Sequence, residues 1–455
     1  MDESARKLVD FTLAFQRESL DTEVLHQAKR RVIDSIGCAL GAYAAPPARI
    51  ARRLALPVSA SGGARIFGSL VTTTPDHAAF ANGVMTRYLD FNDSGLGGGH
   101  GSHPSDNLGG VLAVAESVHA SGSDFLLALA ISYEIQSRVM DSAPFHKHGW
   151  DQPVAGVIGC ALACGRLLGL DSEQLQHTLA LAVIPNLCTF QSRAGTELSM
   201  WKGCAAANGA RQGVFAAQLA FHGMTGPTDP LDGTYGLWSQ TVGRQYEIKP
   251  LGAPGQPLAI TQSALKKFPV RNSCQTPVET ALDLRRKIAA TDIAELKVET
   301  YQAAYDKTAA DEEQWAPRTR ETADHSLPFA VAVTLLDGEV TPQTFSRERF
   351  LDADVLALIK RMRAAVDTNF TREFGDEIQN CRITARSHAG RDHVAHLRFS
   401  PREIVAGPTD AEIEQKFDGL TRDFMSSRER RRVLDALWSL EDVPDVGNLI
   451  ELLRI

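Results

Sequence analysis

Several signatures that would settle a chain's chemistry at once are missing from these 455 residues. The seven cysteines, at 38, 160, 164, 188, 204, 274 and 381, are scattered, and no C-x-x-C occurs among them. Structural zinc and iron–sulfur clusters need grouped thiolates, so neither is supported. An odd, dispersed set reads as reduced thiols in a cytosolic protein. There is no H-E-x-x-H, and the paired histidines at 146/148 and 393/396 read as solvated or hydrogen-bonded rather than metal-bound. There is no G-x-G-x-x-G, and no Lys-Ser or Lys-Thr follows the glycine-rich run at 95–101, so a phosphate-binding loop is not expected. Apolar runs stop short of about 18 residues, which excludes a transmembrane helix by hydropathy. Positive charge is not in excess either. A net charge of −8 argues against a nucleic-acid binder and against general attraction to anionic membranes. The first residues, MDESARKLVDFTLAFQ, are amphipathic and begin acidic, unlike a signal peptide.

What the chain does have is concentrated in Tyr88 to Asn107, YLDFNDSGLGGGHGSHPSDN. Three acids (Asp90, Asp93, Asp106), two histidines (His100, His103) and five glycines lie between two segments with helical apolar spacing, His77 to Leu89 and Leu108 to Val118. No strand is expected before the glycines, which read as flexibility or close backbone approach. Ionisable groups on a loop held by rigid elements are where function tends to sit. His103 precedes Pro-Ser-Asp, which reads as a helix start with Ser105 as cap. An imidazole at the positive end of a helix dipole is disfavoured in its charged form. His103 is then either a neutral base or a hydrogen-bonding member of the loop.

At 455 residues with 44% hydrophobic and 22% charged side chains, two domains of unequal size are expected. Residues 1–262 read as a large helical domain. Asp21 or Thr22 caps a helix whose Val24, Leu25, Ala28, Val32, Ile33, Ile36 and Leu40 form one stripe, and its Gly37 and Gly41 invite a closely packed partner. Ser123 is expected to cap the next long helix. Residues 156–168 and 171–184 form a helical hairpin broken at Gly-Leu-Asp, and 200–221 continues as one helix rich in Ala and Gly. Residues 223–250 carry turn chemistry. From 263 to 402 the pattern becomes α+β: strands at 294–301, 381–386 and 393–399, the last two a hairpin, and helices at 277–289, 326–336 and 354–364. Residues 403–455 return to helix and need the first domain's surface to cover their apolar stripe. The fold expected is therefore mainly α with an α+β second domain as a smaller lid, and a cleft between them is the default active site.

Cations and caps complete the candidate set. Lys202 sits among small and apolar residues, either snorkelling to water or aimed into a cleft. Arg193 occupies a break between helices, where it suits an anion or a surface salt bridge. Lys266 and Lys267 fall where the fold changes domain, as ligands or as a solvated pair. Asp151 and Gln152 stand at a helix entrance, where Asp151 can cap. In ETADHSLPF, Asp324 or Ser326 can cap, and His325 is buried or ligand-facing. An acid and a neutral imidazole on one loop, with two or three cations from separate segments, suit a small polycarboxylate that must lose an α-proton. The cations hold carboxylates and stabilise the enediolate, a matched base takes the proton, and no metal is required.

These same segments resemble the MmgE/PrpD family, which includes 2-methylcitrate dehydratase, cis-aconitate decarboxylase and iminodisuccinate epimerase. RVIDSIGCALGA, NGVMTRYLDFND, HPSDN, GRLLGLDSEQLQHTLALA, SRAGTELSMWKG, GMTGP, KKFP and TRETADHSLPF carry the likeness nearly end to end. The resemblance implies a homodimer with a helical domain and an α+β lid, working without metal or organic cofactor. It places the family's active-site Asp on Asp90, its His on His103 and its lysines on Lys202 and Lys266. Ser94 takes the place of a hydroxyl seen in the decarboxylase branch. Arg193, Asp151, Gln152 and His325 are the expected substrate contacts. Two positions depart from the family: Gln152 stands where the dehydratase branch has His, and an amide transfers no proton at pH 7; Phe329 stands where many members have Tyr. His100, in the GLGGGHG insertion, is a candidate substitute. The expected reaction is dehydration of a 2-methylcitrate-like hydroxy-polycarboxylate. An epimerase or decarboxylase of the family, or a helical dimer that only binds, are the alternatives.

Overall fold

The computed structural model describes residues 2–59, 61–95, 102–194 and 197–455. The chain divides into two compact units. The first comprises residues 1–192, 203–265 and 408–455, the second residues 193–202 and 266–407. His100 and most of the glycine-rich run lie outside the described residues.

The first unit is built of helices around one apolar core. Its helices include Thr22–Gly41, Pro75–Tyr88, Leu108–Ser117, Gly122–Ser142, Pro153–Leu167, Ser172–Val183 and Ala205–Phe221. Local signals explain many of their ends. Asp21 accepts from the Val24 amide, and Asp171 with Gln174 forms a reciprocal capping box, each satisfying amides that have no intrahelical partner. Gly37 and Gly41 do admit a close neighbour: a Cβ at Gly41 would lie 2.9 Å from Leu420, on the Asp410–Thr421 helix. That contact seats the C-terminal helices in the same unit.

Three expectations need correction here. Ser123 does not cap its helix; Ser121 does, accepting from the Asp124 amide, while Ser123 donates to the Glu441 carbonyl. Residues 200–221 are not one helix: Met200–Gly203 is a 3-10 turn and the α-helix begins at Ala205. A short strand does precede the glycine run, because Ser94–Gly95 pairs antiparallel with Ser263–Ala264, a partner 169 positions away that no local pattern could reveal.

The second unit is α+β, with its own core. Its sheet has four strands. Ile293–Thr300 pairs in parallel with Met362–Val366 on one side and antiparallel with Gln379–Ser387 on the other, and Asp392–Phe399 closes the far edge as a hairpin. Alternation along Ile293–Thr300 buries Ile293, Leu296, Val298 and Thr300, as a sheet covered on one face requires. The Asn272–Arg285 and Leu327–Asp337 helices supply apolar side chains to the same core. The expected helix at 354–364 is wrong at its end. It stops at Ile359, and Met362–Val366 is a strand. The first helix also starts earlier than expected, at Asn272, with Pro277 inside it. Among the described residues no helix is long and apolar enough to cross a membrane.

Candidate active site

In the first unit the acid–histidine loop closes on an arginine. Arg87 ends the Pro75–Tyr88 helix, and the chain leaves it by a left-handed turn at Asp90, whose φ is 50°. That conformation costs a residue with a Cβ about 1–2 kcal/mol, so surrounding contacts must hold it. They do. The Asp90 amide donates to the Arg87 carbonyl at 3.1 Å, and Arg87 Nη1 donates to Asp90 Oδ1 at 2.6 Å. The same guanidinium reaches His103 Nε2 at 3.1 Å and lies 3.8 Å from Asp106 Oδ2. Arg87 is 2% exposed, Asp90 1% and His103 7%, so the fork works away from bulk water, where charge-assisted bonds are strong.

The fork also fixes the histidine's tautomer. A guanidinium only donates, so Nε2 is the accepting nitrogen, and Nδ1 carries the hydrogen and donates to the Asp93 carbonyl at 2.6 Å. His103 is therefore held as a neutral imidazole whose lone pair is on Nε2. His103 occupies the N-cap of the Pro104–Asn107 3-10 turn, but Ser105 is not a cap. Its hydroxyl donates to Asp93 Oδ1 at 2.6 Å instead, and Asn92 bonds both Ser105 and Asp106. Local Pro-Ser-Asp chemistry suggested a cap; the tertiary carboxylate of Asp93 took the hydroxyl.

Gln152 belongs to this network. Its Nε2 donates to Asp106 Oδ2 at 2.8 Å, and its Oε1 accepts from Gln136 at 2.6 Å. Both ends of the amide are engaged, which orients Asp106. Asp151 is not a helix cap. It accepts from the Gln152 amide and from the Ser192 hydroxyl, tying the helix entrance to the following loop. Ser94 is buried in the short strand pair.

The second unit holds the remaining candidates. Lys202, in its 3-10 turn, is 2% exposed and donates to Asp324 Oδ1 at 2.5 Å. Asp324 also takes His325 Nδ1 at 2.6 Å, Arg320 Nη1 at 3.0 Å and, on its backbone carbonyl, the Arg271 amide. Burial pushes the Asp324 carboxyl up, but the Lys202 ammonium, the His325 bond and Arg320 outweigh it and hold it below the usual carboxylate range. Burial, reinforced by Lys202, drives the His325 imidazole down to about 3 against the opposing pull of Asp324. His325 is thus neutral near pH 7, with its hydrogen on Nδ1 facing the carboxylate. Neither Lys202 nor Lys266 is a solvated surface charge; Lys266 is also 2% exposed. Only Lys267 is at the surface, paired with Glu279. Ser326, not Asp324, caps the Leu327–Asp337 helix. Arg193 is half-buried at the end of the Phe190–Arg193 turn.

Arg87 went unremarked in the sequence, although it organises Asp90, His103 and Asp106. Its one local signal is the R-x-x-D spacing at the end of a helix, which puts a cation beside an acid. The thiols contribute nothing comparable. Cys160 and Cys164 lie one turn apart with sulfurs at 3.9 Å, and burial pushes the Cys164 thiol well up, away from the thiolate that ligation or attack needs.

Residues 6–249 match the MmgE/PrpD N-terminal domain, and residues 268–441 match the MmgE/PrpD C-terminal domain. The chain belongs to the MmgE/PrpD family. Among curated members, 2-methylcitrate dehydratase of Cupriavidus necator is 28% identical over 81% of this chain and 79% of its own length. The protein of that name from Escherichia coli K12 is 26% identical over 82% and 80%. A fungal alkylcitrate dehydratase, phiI, is 27% identical over 92% and 87%. The second match starts at residue 268, just inside the second unit, and runs past that unit's end at 407 to residue 441.

Proposed function

We propose that this chain is a hydro-lyase that dehydrates a 2-methylcitrate-like hydroxy-polycarboxylate. The observation that carries the reading is His103, neutral and buried, with Nδ1–H pinned to the Asp93 carbonyl and its lone pair on Nε2. The names of its relatives supply the reaction class. In the proposed step Nε2 takes the α-proton as Arg87 gives up that contact. The C–H pair becomes the new double bond, and the hydroxyl, protonated by solvent, leaves as water. Asp90 and Asp106, still on the guanidinium, balance the imidazolium so formed. Lys202, Lys266 and Arg193 grip carboxylates, with Ser94, Asp151, Gln152 and His325 as further contacts. The enzyme works without metal, as a homodimer in the cytoplasm.

The test is incubation of the purified protein in deuterated water with 2-methylcitrate, citrate, cis-aconitate or iminodisuccinate, with and without chelator. Alkene from 2-methylcitrate, insensitive to chelator, supports the proposal. Release of CO₂ from cis-aconitate, or deuterium with inverted configuration in iminodisuccinate, overturns it in favour of decarboxylation or epimerisation. A His103→Ala protein that keeps ligand affinity, in a chain with no turnover to lose, would make it a binding protein.

A further inference from the structure

We propose that Lys416, on the C-terminal Asp410–Thr421 helix, is a positioning residue that holds the Asp90 loop in its working conformation. It rests on the assignment of Asp90 to the reaction. The close approach allowed by Gly37 and Gly41 lays this helix against Thr22–Gly41. Lys416 then reaches inward, its side chain 10% exposed, to Asp34 Oδ1 at 2.6 Å. The same ammonium donates to the Phe91 carbonyl at 2.6 Å and sits 3.6 Å from the centre of the Phe91 ring.

Phe91 directly follows Asp90. The left-handed turn at Asp90 is thus fixed on both sides: its own amide is bound to the Arg87 carbonyl, and the next carbonyl is bound to Lys416. A cation that holds carbonyl and ring of one residue leaves that residue little rotational freedom. Asp34 is fully buried and gives the ammonium a further acceptor, while the Phe91 carbonyl and ring hold it independently. The neighbouring Arg31 completes the floor, donating through Nε to the Ser263 hydroxyl at 2.8 Å, on the strand that pairs with Ser94 and Gly95. Residues far from the loop in sequence therefore set the direction in which the Asp90 carboxylate points, although none belongs to the acid–histidine constellation.

The salt bridge and the loop clamp can be separated by comparing Asp34→Asn with Asp34→Asn/Lys416→Met. The first keeps an acceptor and the Phe91 bond; the second removes the cation together with its charged partner, so no lone buried charge threatens the fold. In full-length protein, we expect Asp34→Asn to stay within about 3-fold of wild-type kcat. The double variant should lose at least 10-fold in kcat with KM nearly unchanged, and amide exchange in the peptide around residues 88–95 should quicken at least 10-fold. A double variant with the kcat of Asp34→Asn overturns the proposal, as does a kcat loss with exchange unaltered. Unchanged exchange also overturns it should the wild-type protein fail to turn over 2-methylcitrate, an outcome that separately defeats the function proposed above.

Discussion

Acid should weaken the second unit first through His325. Its ordinary value is 6.5, and burial with Lys202 lowers it to about 3 in the folded chain. Between those limits the unfolded chain holds a proton on this ring and the folded chain does not, so stability falls as pH drops. The full effect is present above pH 6.5 and is lost progressively toward pH 3. Each pH unit is worth about 1.36 kcal/mol once the unfolded ring is mostly protonated, so lowering pH from 6.5, where that ring is half protonated, to 4.5 should cost about 2.3 kcal/mol from His325 alone. Asp324, held below 3.8, adds its own loss only at still lower pH. The assay is urea unfolding of wild type and His325→Gln at pH 7.0, 5.5 and 4.5. Fluorescence includes Trp315 and Trp201, both in the second unit. The remaining histidines are common to both proteins and cancel. The Gln variant should be less sensitive to acid by on the order of 2–3 kcal/mol at pH 4.5. Equal acid sensitivity in the two proteins would refute the reasoning, since it would mean that the ring titrates alike folded and unfolded.

Other outcomes follow from the same geometry. Arg87→Met leaves Asp90 and Asp106 buried without their cation, which should destabilise the first unit by roughly 3–5 kcal/mol; turnover of 2-methylcitrate should fall at least 100-fold in whatever protein stays folded, read by circular dichroism and by absorbance of the alkene. Phe329→Tyr, which brings the chain nearer its family pattern, should not gain activity: Phe329 is fully buried against Phe345 and Phe350, and an unpaired hydroxyl there costs about 1–3 kcal/mol, seen as a lower unfolding midpoint. Gln152→His should likewise lose rather than gain, because the ring cannot reproduce the amide's bonds to both Asp106 and Gln136; a drop of about 1–3 kcal/mol in stability, with kcat no higher than wild type, is the expected result by urea titration and steady-state kinetics.

The sequence alone carried what depends on near neighbours. Helical apolar spacing with cap candidates at Asp21 and in the Gly-Leu-Asp break marked helices, because caps and faces are decided within one or two turns. Alternation around HAGRD marked the 379–399 hairpin, whose strands meet across a short turn, and Gly37 with Gly41 announced a close helix contact. The acid–histidine loop was legible because its residues are contiguous. What the sequence left undecided depends on partners distant along the chain. Residues 362–364 read as the end of a helix until the Ile293–Thr300 strand, some seventy residues earlier, pairs with Met362–Val366. Ser105 reads as a cap until Asp93 accepts its hydroxyl. Arg87 and Lys416 look like ordinary surface cations, since charge pattern gives no depth, and by pattern alone Lys266 could equally have been one of a solvated pair. Only folding buries them, and burial makes an ion keep a fixed set of partners: Arg87 on His103 and Asp90, Lys416 on Asp34 and Phe91.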